Sequence, residues 1–547
     1  MSERRVFTQE LSGSALTRAA LEGRLPAHWY SQPPRTVSEW TKHASAVCQT
    51  GKPNWTRDLL PAIAPSGAAA DRLAKSAGGS GMVVTTGQQA GLFGGPIYTW
   101  AKALSALALA DALEMATGIP VAPVFWAATD DADFAEASTT HVAVPGGVET
   151  LSLHVDRSQY DGEAMRDVPL GNVSELLHGL ERGAGSVAYA EALEAARASY
   201  MAGATVGIAY VTLLRRVLEP LGICVLDAGH PAVQAASLPL LLKALDRAAE
   251  LESALKERER EIRETGFEPQ VTTVDGLSLV FGRLDGGRRR IPIVHVRDAT
   301  SAATKTDRLG PNVLLRPVVE RMVLPTAAYV AGPGEVAYFA QVSAVAAVLK
   351  QTPPLAIPRW SGMIVPAHIG RILARYRIVA DDLRDAHAIE TRLARALMPE
   401  RFRQALDQFR TYTDESSRDV AGALRAISPP ILPETALEGT RLEILRRLDR
   451  LERRATAAIK RRETEMIQDI ATARGVVYPF GHQQERVLNF IPFLARYGTA
   501  LLREMVGCAS DHAANVVGIE SPTSTLAASA GRSGSATSQT SGRSGLD

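Results

Sequence analysis

An α/β fold, with a parallel-sheet core, helical and β-rich connecting insertions and a long antiparallel α-helical coiled coil, is predicted by three features of this 547-residue sequence. Residues 81–129 run apolar strand, glycine-rich turn, apolar helix, apolar strand, which is the order of one βαβ unit. Beyond Pro366, apolar residues recur at alternating three- and four-residue steps amid dense Arg and Glu, the pattern of a coiled-coil seam. The chain is also too long for one compact core, so several packed units are expected.

In chain order, Met82–Thr85 is the first strand, Pro96 to Thr117 the helix and Val121–Ala128 the second strand. Pro96 suits a first helical turn, where its missing N–H costs nothing, and Gly118 suits the helix exit. Leu151–Leu218 reads as mostly helical. Gly222–Ala228 returns to a short buried strand, followed by a helix from Pro231 to about Glu264. Val271–Val296 is β-rich, with Asp285-Gly286-Gly287 as a hairpin turn between Leu277–Leu284 and Arg290–Val296. Leu324–Val330 supplies another strand, closed by Gly332-Pro333-Gly334 and followed by a helix carrying Tyr338 and Gln341.

The arm is read from two runs: Ile372, Tyr376, Val379, Leu383, Ala386, Leu393 and Leu397, then Ile444, Leu448, Leu451, Ala455 and Ala458. Pro429, Pro430 and Pro433 break the helix between them, so the runs fold back as an antiparallel pair. The expected organisation is therefore a core over 1–365, with insertions at about 145–220 and about 265–310, a coiled coil over 366–475, a helical segment over 476–507 packing on the core, and a largely disordered tail over 508–547. From Ser521 the composition falls to Ser, Gly, Ala, Thr and Arg, which cannot offset ordering entropy.

Sixty basic residues oppose fifty-nine acidic ones, so net charge gives no case for nucleic acid or an anionic membrane as partner. Cys48, Cys224 and Cys508 form no C-x-x-C pair, which fits a reducing cytoplasm and argues against a thiolate metal site. No stretch is apolar and long enough for a signal peptide core or a membrane span. The eleven histidines show no paired ligand spacing, and no metal site is expected.

Three polar turns could carry chemistry. In TTGQQAGLFGGPIYTWAK, from Thr85 to Lys102, Gly87 and Gly95 permit close backbone approach, Gln88 and Gln89 offer amide donors, and Tyr98 and Lys102 lie one helical turn apart. The set suits a phosphate or carboxylate; a plain glycine turn with a solvated lysine is the simpler alternative. In TDDADFAE, Asp130, Asp131, Asp133 and Glu136 crowd a strand end, where carboxylates bind Mg²⁺, accept a proton from an amine, grip sugar hydroxyls, or merely cap a helix. In YVAGPGEVAYFAQ, Glu335, Tyr338 and Gln341 recur three residues apart on one helix, as pocket wall or as cap and core. Arg316 and Arg359, each beside a proline, suit structural ion pairs.

Taken in order, VVTTGQQAGLFGGPIYT, PVAPVFWAATDDADFAE, GFEPQVT, LLRPVVERMVLPTAAYVAGPGEVAYFAQ, Pro358-Arg359 and QERVLNFIPFLARYG resemble successive motifs of the bacillithiol biosynthesis cysteine-adding family. The resemblance spans Val83 to Gly498. It implies a Rossmann-like core, a coiled coil that forms a homodimer, and an amide-forming ligase that joins L-cysteine to glucosaminyl malate in the last step to bacillithiol. The expected catalytic residues are then Asp131, Asp133 and Glu335. The expected substrate-binding residues are Gly87, Gln88, Gln89, Gly95, Tyr98, Lys102, Asp130, Tyr338 and Gln341. Amide formation from a free carboxylate is uphill in water, so ATP, alone or with Mg²⁺, is the expected activating partner. The sequence departs from the family where relatives carry His, at Ala132, and where they carry Thr-Gly, at Gly94-Gly95. A related ligase or nucleotidyltransferase acting on another amine, and a non-catalytic dimeric scaffold, remain alternatives.

Overall fold

The structure, a computed structural model, describes residues 5–52, 54–77, 81–156, 160, 162–284, 287–296, 309–429 and 431–521. Its central sheet has five strands: β1 (Met82–Gln89), β2 (Val121–Ala128), β3 (Cys224–Asp227), β4 (Thr326–Ala331) and β5 (Ala356–Pro358). They lie in the order β5-β4-β1-β2-β3, and every neighbouring pair is parallel. This is the 3-2-1-4-5 order of a Rossmann-like sheet, whose direction of winding reverses between β1 and β4. Ligands of such sheets sit outside the carboxyl ends of the strands at that reversal. Here the place is marked by Gly87-Gln88-Gln89 on one side and Gly332-Pro333-Gly334 on the other.

Buried on both faces, the strands are continuous apolar runs rather than alternating ones, as β2 shows with all eight residues buried. Helix α1 (Ile97–Thr117) is apolar almost all round because it is covered on two sides. One side packs on β1 and β2, the other on the terminal helix Ile491–Val517. Pro96 stands as its N-cap and Gly118, in the left-handed region, closes it. After β4, Gly332 caps α2 (Pro333–Val348), which packs against the helix Ala248–Glu264 over a second apolar cluster around Leu251, Val319, Phe339 and Val345.

Several expected boundaries shift. β1 does not end at Thr85 but runs through Gln89, so the two glutamines belong to a strand end and not to a loop. The single helix expected from Pro231 to Glu264 is two, Pro231–Asp246 and Ala248–Glu264, broken at Arg247. Leu277–Leu284 pairs with Gly287–Pro292, and Ile293–His295 is a 3₁₀ turn; the hairpin residues Asp285 and Gly286 lie outside the described residues. The terminal helix overruns the expected tail boundary at residue 508, reaching Val517, because Met505, Ala509, Ala513 and Val517 give it a buried stripe at four-residue steps. Residues 522–547 of that tail lie outside the described residues.

The chain divides into two units. One comprises Met1–Val142, Glu149–Ile364 and Glu485–Asp547; the other comprises Ala143–Val148 and Val365–Gln484. Within the second unit the long antiparallel pair is α3 (Glu400–Arg425) with α4 (Glu434–Arg462). Arg410 to Glu452 at 2.6 Å, Arg410 to Asp449 at 3.0 Å and Arg441 to Asp414 at 2.7 Å tie the two helices together. The run Ile372–Leu397, expected to be the first long helix, is instead three short pieces: Ala367–Tyr376, a 3₁₀ stretch Ala380–Asp385, and Ala386–Ala396. Arg377 adopts φ 51, which ends the first piece, and the carboxylates of Asp382 and Asp385 accept from Val379 N and Ala388 N, starting new turns. Among the described residues no helix is long and apolar enough to cross a membrane.

Candidate functional site

At the reversal point of the sheet lies a cavity of about 570 Å³. Its wall carries Gly87, Gln88 and Gln89 from β1, Tyr98 and Lys102 from α1, Asp130 and Asp131 beyond β2, and Glu335 and Tyr338 from α2. The three polar turns therefore do meet around one hollow. Close strand approach requires Gly87: a Cβ there would stand 2.9 Å from Trp126 O on the neighbouring strand and 3.3 Å from Arg316 Nη1.

Lys102 is not a solvated lysine. Its side chain is 3% exposed, and its ammonium donates to Gly87 O at 2.5 Å and Gln88 Oε1 at 3.2 Å while pairing with Glu335 Oε2 at 2.7 Å. All three N–H groups are thus occupied by the protein, and the charge expected to meet a ligand anion is spent on Glu335. Burial alone would push the Glu335 carboxyl up, but Lys102 and Arg316 overcome it and hold the group below its ordinary value. Glu335 also accepts from Tyr329 O–H at 2.5 Å and from Gly332 N at 2.5 Å, so it is both a ligand of the network and the acceptor for the backbone N–H at the start of α2. Tyr338 completes the cluster, its hydroxyl 3.3 Å from Arg316 Nη2 and 3.5 Å from Glu335 Oε1. Burial raises the Tyr338 phenol well above its usual range.

On the β2 side, Asp131 accepts from Gln89 Nε2 at 2.8 Å and from Asp133 N at 3.0 Å, which aims its carboxylate along the cavity wall. Asp130 faces Arg288 at 3.4 Å, and burial, partly offset by that arginine, raises its pKa. Gln88 Nε2 donates to Tyr98 Oη at 3.1 Å and to Glu136 Oε1 at 3.4 Å, while Lys102 holds its oxygen; the amide orientation is thereby fixed. Burial and the neighbouring Asp133 and Asp131 push the Glu136 carboxyl up.

Three expected site residues fall elsewhere. Asp133 is exposed, does not line the cavity, and serves as N-cap of Phe134–Ala137 by accepting from Glu136 N at 3.1 Å. Gly95 lines a separate hollow of about 380 Å³, beyond the Gln88 and Tyr98 side chains. Gln341 is fully buried and clamps the chain at Val271, donating to its O at 2.7 Å and accepting from its N at 3.2 Å. A three-residue step turns a helix by about 60° short of a full circle, so Gln341 stands about 120° from Glu335 around α2. Its contribution is to hold Gln270 and Val271, which do line the cavity.

Sequence reasoning missed Arg288, Arg290 and Arg486, all on the cavity wall. Arg288-Arg289-Arg290 sits on a strand, where alternation puts the first and third on one face, a signal that was available. Arg359 and Arg316, expected as structural ion pairs, are so: Arg359 pairs with Glu485 and Arg316 with Glu320, yet both also border the cavity.

The family assignment follows from comparison with known proteins. The model described as "Bacillithiol biosynthesis BshC, N-terminal Rossmann-like domain" matches residues 63–360, and "Bacillithiol biosynthesis BshC, C-terminal coiled-coil domain" matches residues 362–517. The chain belongs to the BshC family. Among its relatives, each named as a candidate cysteine ligase BshC, the Solibacter usitatus protein is 33% identical over 494 residues, covering 87% of this chain and 91% of the relative. The Koribacter versatilis protein is 32% identical over 447 residues, covering 78% and 81%. The Salinibacter ruber protein is 28% identical over 445 residues, covering 78% and 80%.

The two positions expected to depart from the family pattern, Gly94 and Ala132, have different surroundings. Gly94 has φ 82, and a Cβ there would meet Trp100 Cζ2 at 2.5 Å, so the indole occupies the room a threonine would need. Ala132 is not among the residues lining the 570 Å³ cavity, although Asp130 and Asp131 are. The position has no imidazole to contribute, and the wall is built without it.

Proposed function

We propose that this BshC-family enzyme joins the carboxyl of L-cysteine to the amine of glucosaminyl malate, with ATP as the co-substrate that takes up the departing oxygen. The observation that carries the reading is the convergence of Gln89 with Asp131 and of Lys102 with Glu335 on one cavity at the reversal point of the sheet. Asp131, oriented by Gln89, is the group suited to accept a proton from the substrate ammonium, freeing the nitrogen to attack the activated carbonyl. Glu335 has the lowered carboxyl range of a permanent anion, and its partners leave it no proton to give; it serves to fix Lys102, Arg316 and Tyr338 as a rigid floor. Gln88 and Tyr98, tied to each other and to Glu136, offer hydroxyl and amide groups at the side of the cavity.

ATP would activate the carboxyl when bound. Arg290 and Arg486 are the wall residues whose charge could meet its phosphates. Among the described residues no three metal-ligating side chains cluster, so a Mg²⁺ ion here would be held in part by the nucleotide itself. We place the reaction in the cytoplasm and assign the α3–α4 pair the role of a homodimer contact, in support of which both helices leave large apolar side chains exposed.

The test is incubation of purified protein with glucosaminyl malate, cysteine and ATP, followed by mass spectrometry of the thiol product. The amide is expected only when all three are present. Its absence alongside tight nucleotide binding would transfer the reading to a ligase of another amine.

A further inference from the structure

We infer that the end of the cavity bounded by Arg359, Arg486 and Tyr98 is an oxyanion subsite, with Glu485 as the residue that positions it. The inference deepens the ligase reading and rests on it only for the source of the anion. A carboxylate of the acceptor and a phosphate of the co-substrate share the required chemistry.

The argument begins with the charges on the cavity wall. Lys102 is neutralised by Glu335, Arg316 by Glu320 and Glu335, and Arg288 by Asp130. Arg290 spends its N–H groups on the backbone carbonyls of Ser278 and Leu277. Arg486, exposed on the same wall, has no carboxylate partner among the described residues. Of the two wall cations without a carboxylate partner among the described residues, Arg290 and Arg486, it is the exposed one whose guanidinium is left for a ligand.

Arg359 adds a directed donor. Its Nη1 donates to Glu485 Oε2 at 2.9 Å and to Trp360 O at 2.8 Å, and its Nη2 donates to Glu485 Oε1 at 2.5 Å. The remaining Nε has no hydrogen-bond partner, in a side chain only 2% exposed. That nitrogen lies 4.0 Å from where a Cβ on Gly332 would stand, and Gly332 lines the cavity at the start of α2. A buried N–H without an acceptor is costly, and a ligand oxygen entering here would relieve it. Arg359 also sits 6.0 Å from the centre of the Tyr98 ring, which places both on one side of the cavity with Arg486.

Glu485 is not available as a base. Besides the two Arg359 bonds it accepts from Ser361 Oγ at 2.9 Å and Gly362 N at 3.4 Å, so its lone pairs are filled and its task is to set the guanidinium plane. Fork-to-fork pairing fixes that plane better than a single contact would. Glu485 and Arg486 are adjacent in sequence, so one short segment supplies both the clamp and the free cation.

The experiment titrates the full chain by calorimetry with L-malate, inorganic phosphate and ATP in turn, for wild type, Arg486→Met and Arg486→Lys. Wild type is expected to bind at least one of these anions, and Arg486→Met to weaken that anion about tenfold or more while leaving cysteine binding unchanged. Loss confined to malate names the acceptor carboxylate as occupant; loss confined to phosphate and ATP names the co-substrate. Glu485→Gln should raise KM for the substrate that carries that anion, glucosaminyl malate or ATP, with a smaller change in kcat. The buried pair makes that variant prone to misfold, so the exposed Arg486 carries the decision. Equal affinities in wild type and Arg486→Met, or no anion bound by wild type, would overturn the subsite. If wild type forms no amide product from cysteine and glucosaminyl malate while anion binding still depends on Arg486, the proposed substrates fail and the subsite stands.

Discussion

Lys102 Nζ lies 2.7 Å from Glu335 Oε2, joining the helix after β1 to the helix after β4 across the reversal point of the sheet. Removing one partner of so buried a pair leaves an uncompensated charge, which typically costs about 3–5 kcal/mol. Lys102→Met is therefore expected to lower unfolding free energy by that order in urea titration and to abolish turnover. The double variant Lys102→Met, Glu335→Gln should lose less than the sum of the two single variants, because each alone strands the other's charge. Strict additivity would show that the two groups do not act as a pair.

Asp131 and Asp133 are two residues apart and should behave differently. Asp131→Asn keeps the shape and the Gln89 neighbour but cannot take a proton, so kcat is expected to fall roughly a hundred- to ten-thousand-fold. Asp133→Ala removes a helix cap, worth about 1 kcal/mol, and should leave turnover near wild type. Steady-state kinetics of the two variants, with melting temperature as control, separates the roles; the reverse ranking would assign the base to Asp133.

Glu320 gives a pH dependence. It is 1% exposed behind Arg316, and burial, against the pull of that arginine, raises its carboxyl to about 7. A folded-state pKa above the unfolded value means that the native state holds the proton more tightly. The contribution is complete below about pH 4.5, the ordinary value, and is lost as pH rises through about 7. Its size is at most ~3 kcal/mol for a shift of this order. Glu320→Gln cannot ionise, so its melting temperature should gain on wild type from pH 5 to about pH 7 and level off by pH 8. A difference between the two proteins that stays flat across that range would show that Glu320 does not titrate there.

What was legible in the sequence follows from what each residue depends on. Gln88, Gln89, Asp131 and Glu335 sit at strand ends, and a parallel sheet brings its strand ends to one rim, so their meeting could be read from local pattern alone. Arg486 could not be read in this way. It reaches the cavity only because the chain returns to the sheet after the whole helical arm, and nothing local to QERVLNF encodes that. Asp133 and Gln341 were misread for a different reason. Both are polar residues beside real site residues, and neighbourhood in sequence does not settle direction: one faces outward as a cap, the other inward onto Val271. In the arm, the three- and four-residue spacing was real, but the aspartates at 382 and 385 stop the helix locally, and spacing alone does not weigh a cap against a seam.

The homodimer proposed for the arm can be tested on the α3–α4 pair itself. The two helices bury few of their own residues, Leu406 and Thr413 in one and Leu448 and Thr456 in the other. Phe409 and Tyr412, one turn apart on α3, are 55% and 65% exposed. Fully burying an aromatic ring is worth about 1.5–3 kcal/mol, these rings have little more than half of that exposure left to lose, and a two-fold interface counts each ring twice, so the two positions supply roughly 4–7 kcal/mol. A micromolar complex needs about 8 kcal/mol after the costs of association are met, so the two rings are a substantial share of such an interface and not the whole of it. Phe409→Lys with Tyr412→Lys is expected to convert a dimer to a monomer in sedimentation velocity while leaving helix content by circular dichroism intact, since both side chains already face solvent in the single chain. A dimer that survives the double substitution unchanged would place the contact away from this face of α3.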